Sequence, residues 1–104
     1  MRFDKQNNTM IEQLTSRDFT GLEPASIAVE YQGSRHAMSV LELRELPPIS
    51  PRAAPFAVLL TGPLAPVLPQ GIHVLLHPHR GRLDLFMVPV GRGAESVTYE
   101  IVFN

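Results

Sequence analysis

Residues 71 to 91 read GIHVLLHPHRGRLDLFMVPVG and hold three of the chain's four histidines, His73, His77 and His79, followed by Asp84. Two imidazoles and a carboxylate form a set that can hold a divalent cation. His77 and His79 lie two apart, a spacing that can send both rings to one side of a strand end, with Asp84 diagonally near. Pro78 between the rings, Gly81 just after them and the permanent charge of Arg82 oppose that reading. The same six residues, HPHRGR, make a turn between two strands. The expectation is therefore turn and rim histidines with no bound metal; His77, His79 and Asp84 are the ligands if one is held.

Other chemistries find less support. The chain has no cysteine, which removes thiolate nucleophiles, disulfides and cysteine-based zinc sites together. Ser16, Ser26, Ser34, Ser39, Ser50 and Ser96 fall in caps, turns or strands without the strand-to-helix elbow that activates a serine. Lys5, the only lysine, belongs to the polar start of the chain. Glu42 and Glu45 fall on opposite faces of a strand, so they do not pair as acid and base. VGRGAES carries Gly91 and Gly93 but opens no helix, so it reads as a hairpin loop rather than a phosphate cradle. Neither an enzyme nor a cofactor is expected.

The elements that position these residues are short. Of ten prolines in 104 residues, seven fall in LPPISPRAAP (46 to 55) and TGPLAPVLP (61 to 69), and proline donates to neither helix nor sheet ladders. From Ala25 onward the apolar period is two. SIAVEYQ sets Ile27, Val29 and Tyr31 against Ala28, Glu30 and Gln32, and a turn at Gly33 and Ser34 leads into HAMSVLELREL, with Leu41 and Leu43 on one face and Glu42 and Arg44 on the other. PFAVLLT (55 to 61) is apolar on both faces and predicts the most buried strand, with Phe56, Val58 and Leu60 in the core. GIHVLLHP and RLDLFMVPV pair as a hairpin with Leu76 opposite Leu83, Val74 opposite Leu85 and Ile72 opposite Met87, all turned inward. SVTYEIVF closes the set with Val97, Tyr99, Ile101 and Phe103 on one side.

The fold class is mainly β: a six-stranded, largely antiparallel meander closed as a small barrel or a sandwich. Only the N-terminal part predicts helix. In LTSRDFTG, Thr15 is the cap, Asp18 the third helical residue of a capping box, and Leu14 and Phe19 the two halves of a hydrophobic staple, with Gly21 as the stop. A second short helix is expected around Met10 to Glu12, capped by Thr9. The whole chain, 1 to 104, reads as one domain with a flexible tail over about residues 1 to 8.

A formal net charge of -1 makes nucleic acid a poor partner. No apolar run approaches the roughly 20 residues of a membrane span, and the start lacks the apolar core of a secretory signal, so a cytoplasmic protein is expected. Pro63, Pro66 and Pro69, three apart, could form a polyproline face for an aromatic groove, as could PPISPR with Arg52. Leu64, Val67 and Leu68 between them favour packing against the domain itself.

Taken together, LTSRDF, LPQGIHVLLHP, LDLFMVPVG and YEIVFN resemble a family of small bacterial proteins of about this length, a domain of unknown function, from Leu14 to Asn104. The resemblance implies a bacterial origin, a compact β-rich domain and a genomic association with phage-tail-collar-type fibre proteins. It brings no catalytic residue to this chain. His73 stands where the family carries an aromatic residue, and LLHPHRG lacks the acidic residue that often precedes the His-Pro pair.

The function expected is a non-enzymatic structural or protein-interaction module that meets a protein partner, or a second copy of itself, at an edge or end of the sheet. Phe86 and Val88 mark that surface, because they are apolar on a face expected to be wet. The alternative is a small ligand- or metal-binding barrel, or a minor enzyme, using His73, His77, His79 and Asp84.

Overall fold

The computed structural model describes residues 10–49 and 54–104. Six antiparallel strands, β1 (Ile27–Tyr31), β2 (Ser34–Glu45), β3 (Phe56–Gly62), β4 (Gly71–His77), β5 (Gly81–Arg92) and β6 (Val97–Phe103), close into a barrel in the order β1-β2-β3-β6-β5-β4. The sheet is two three-stranded meanders joined at both seams, β3 to β6 and β4 to β1, rather than one continuous meander. The β3–β4 connection therefore has to pass over one end of the barrel.

Alternation fills the interior. Phe56, Val58 and Leu60 of β3 meet Phe103, Ile101 and Tyr99 of β6 in register, and all six are buried. Ala57 and Leu59 are buried too, on the outer side of β3, as a run apolar on both faces requires. Each twelve-residue strand carries a register shift: between Val40 and Glu42 in β2, and between Pro89 and Gly91 in β5. An extra residue of this kind bends a strand, which lets two long strands wrap a small barrel. The bulge corrects the face expected for Leu41, which is not paired with Leu43 on the core side but is exposed.

Both barrel ends are plugged by apolar side chains from outside the sheet. At one end stand two 3-10 turns, Ile11–Gln13 and Ser16–Phe19, in place of the expected short helices. The first is preceded by Met10 as its cap residue; the expected cap Thr9 and the expected flexible tail lie outside the described residues. In the second, the Asp18 carboxylate accepts the Thr15 N–H at 2.8 Å, half of the capping box. The staple residues Leu14 and Phe19 are both buried in the core, and Gly21 turns the chain at φ 70°. Phe19 lies against Phe56 and Phe103, whose rings stack 4.5 Å apart. At the other end the proline-rich segment 63–70 inserts Leu68, which is fully buried, with Leu64 packed against the core, whereas Val67, expected to pack with them, is exposed because it points away from the barrel. Segment 63–70 therefore packs on its own domain. Arg52, Ser50 and part of the other proline stretch fall outside the described residues.

Candidate functional site

The β4–β5 hairpin turns over one residue fewer than expected. His77 pairs with Gly81, so Leu75 faces Leu83, His73 faces Leu85 and Ile72 faces Phe86. Because side chains alternate along a strand, a one-residue difference in pairing exchanges the faces of β4 against β5. Leu83, Leu85 and Met87 point inward as expected. Their partners are Leu75, His73 and Gly71, while Ile72, Val74 and Leu76 point outward with Phe86, Asp84 and Arg82.

The turn chemistry explains the choice. The Nδ1 atom of His77 accepts the backbone N–H of His79 at 3.0 Å and of Arg80 at 3.1 Å, closing the turn as an asparagine or aspartate would. Gly81, at φ 73°, supplies the left-handed residue that returns the chain to the sheet. With both N–H groups pointing at Nδ1, the ring proton sits on Nε2, which donates to the Asp18 carbonyl in the second 3-10 turn. Phe19 stands edge-on to the same ring, 5.2 Å between centroids. Arg80 then reaches the Asp18 carboxylate, Nε to Oδ1, at 2.7 Å. His77 is a buried strut between the hairpin turn and the plug.

The four residues considered as ligands are thus separated. His77 is inside with both nitrogens engaged, and His79 is exposed on the turn. His73 Nε2 lies 2.7 Å from the Pro69 carbonyl and its ring meets Tyr31 edge-on, toward the opposite end of the barrel. Asp84 is on the outer surface, with Arg82 Nε 3.3 Å from its carboxylate. Among the described residues, no three histidine, aspartate or glutamate side chains converge as a metal-ligand set.

Two electrostatic consequences follow at the strut. Burial lowers the pKa of His77 below the ordinary 6.5; the Asp18 carbonyl and carboxylate pull upward, His79 and Arg80 push down, and the balance is a lowered value. Burial would raise the Asp18 carboxyl, but the Thr15 N–H and Arg80 outweigh it and hold it below 3.8.

The outer face of the hairpin is the larger feature. Ile72 is 72% exposed and Phe86 51% exposed, directly opposite each other. Val74, Leu76 and Val88 continue the apolar surface at intermediate exposure, and Val102 is exposed on the outer side of β6. Glu30, Asp84, Arg82 and Glu100 stand around it in the ladders. Phe86 and Val88 are both on this outward face; Ile72, expected in the core, is the residue that sequence reasoning missed. The only signal for it was the turn length. A separate groove of about 310 Å³ lies at the end closed by the 3-10 turns, lined by Ser16, Glu45, Leu46, Pro48, Ala54, Pro55 and Phe56. Its walls are mostly apolar, and it offers Ser16 and Glu45 as polar groups.

No helix among the described residues is long and apolar enough to cross a membrane. Residues 14–103 match the family model of a domain of unknown function, DUF6916, and the chain belongs to that family. Neither a curated protein nor a solved structure matches it.

Proposed function

We propose that this DUF6916 member is a non-enzymatic protein-interaction module whose contact surface is the outer face of the β4–β5 hairpin. The observation that carries the reading is the exposed pair Ile72 and Phe86, facing each other across the ladder with Val74, Leu76 and Val88 around them. Apolar side chains grouped on a surface and rimmed by charge are what a partner covers, since each would otherwise remain in water.

Closure of the barrel changes the mode of contact expected from the sequence. All six strands have neighbours on both sides, so addition of a partner strand at a sheet edge is replaced by packing on a face. The near-neutral charge favours a protein over a nucleic acid, and the reading places the encounter in the cytoplasm. The resemblance to a bacterial family with phage-tail-like fibre proteins nearby makes such proteins the first partners to try.

The test is capture from a bacterial lysate, with sedimentation of the purified protein alongside, comparing the wild type with Phe86→Glu and Ile72→Glu. The expected result is a partner, or concentration-dependent self-association, that both substitutions remove while the thermal transition stays in place. A wild type that remains monomeric and captures the same proteins as the two variants would refute the surface.

A further inference from the structure

We infer that His77 is an acid-operated latch that fastens the Ser16–Phe19 turn, as a plug, onto the end of the barrel. Nδ1 receives two backbone N–H groups, from His79 and Arg80, and Nε2–H reaches the Asp18 carbonyl in the plug. The neutral ring satisfies all three contacts in a single tautomer. A second proton can only be placed on Nδ1, where it points at two donors and removes both bonds that close the turn.

The groups around the ring make that proton costly and connect it to the plug. From the second 3-10 turn comes the Asp18 carboxylate, already engaged by Arg80 at 2.7 Å and by the Thr15 N–H. From the hairpin turn come His79, its ring 6.0 Å away, and Arg80, both adding positive charge beside an imidazolium. From β5 the ladder partner is Gly81, which brings no side chain, and from the plug Phe19 presents an apolar ring. Disrupting the His79–Arg80 turn also displaces Arg80 from Asp18, so the carbonyl bond and the ion pair that hold the plug weaken together. Phe19 is then free to leave the Phe56–Phe103 pair, opening an aromatic end of the barrel that is closed at neutral pH.

The direction in pH follows from the lowered value of the folded state. The latch is intact above about pH 6.5, the ordinary histidine value, and is lost as the pH falls through the lower value of the folded ring. The Asp18 carboxyl is held below 3.8 by its own partners, the Thr15 N–H and Arg80, so Asp18→Asn separates its contribution from that of the ring.

Nuclear magnetic resonance of the full chain tests this without any substitution. The expected result is a His77 ring in the Nε2–H form at neutral pH that titrates below the ordinary value. As it does so, the His79 and Arg80 amides should exchange at least tenfold faster and Thr15 to Phe19 lose their folded shifts, while β3 and β6 stay protected. A ring that titrates at 6.5 or above, or strands that lose protection together with the plug, would overturn the latch. His77→Gln, which can accept and donate but does not titrate, should abolish the acid step, and His79→Gln should retain it. An acid step that survives in His77→Gln also overturns the proposal.

Discussion

The Tyr99 hydroxyl, enclosed inside the barrel, accepts the backbone N–H of Leu68 at 3.0 Å. One bond therefore ties the core of β6 to the proline-rich segment that closes the end of the barrel. Tyr99→Phe keeps the ring and leaves that N–H buried without an acceptor, at a cost of about 1–3 kcal/mol. Denaturant unfolding should give a lower midpoint with an unchanged slope, and faster exchange of the Leu68 amide should accompany it. An unchanged midpoint would mean that Leu68 is held by its packing alone.

Phe56 tests the core. It is buried and stacks on Phe103 at 4.5 Å while also meeting Phe19 from the plug. Phe56→Ala should cost about 3–5 kcal/mol, combining lost apolar burial with a cavity that its two aromatic neighbours cannot refill. For a domain of this size that is a large share of the total stability, so thermal melting should fall by many degrees. A melt within a degree or two of the wild type would contradict the burial of this ring.

Asp18→Asn addresses the plug from its other side. The carboxylate accepts the Thr15 N–H and the Arg80 guanidinium, and both contacts favour the ionised form. Replacement by the amide should cost about 1–2 kcal/mol, the usual range for a lost cap with a charge-assisted bond. Because the folded carboxyl titrates below 3.8, its contribution is present above that pH and is lost as the pH falls through the folded value. Stability curves of wild type and Asp18→Asn should therefore run parallel above about pH 6.5, where the His77 contacts are intact, and converge as the pH falls below 3.8.

The sequence made much of this fold legible, and the errors share a cause. Period-two alternation locates all six strands, and the apolar run of β3 identifies its buried position correctly. Of Leu64, Val67 and Leu68, the apolar residues among the prolines, Leu64 and Leu68 pack against the domain as expected and Val67 does not. Alternation does not fix how many residues a turn or bulge consumes. Leu41 changed face through a bulge in β2, and β4 changed faces through a shorter turn. On β4 the wholly apolar set Ile72, Val74 and Leu76 looks like the core side, yet His77 must lie inside to close its turn and reach Asp18. A buried histidine used as a turn cap resembles a rim histidine when only its position in the sequence is known. Phe86 was legible as a surface residue because its own strand alternates strongly with Leu83, Leu85 and Met87; Ile72 was not, because nothing local opposes placing it inside.

The register of the hairpin can be measured directly through that inversion. If Leu75 faces the core and Ile72 faces solvent, truncation at the two positions must separate sharply. Leu75→Ala removes buried methyl groups beside Leu83 and should cost about 2–5 kcal/mol. Ile72→Ala removes groups that are already largely in water and should shift stability by no more than about 0.5 kcal/mol. The opposite register, with Ile72 against Met87 and Leu75 beside Asp84, reverses the order of the two effects. Equilibrium unfolding of the pair decides between them, because the comparison depends on which substitution costs more. A larger loss for Ile72→Ala than for Leu75→Ala would return Ile72 to the core and remove the centre of the proposed contact surface.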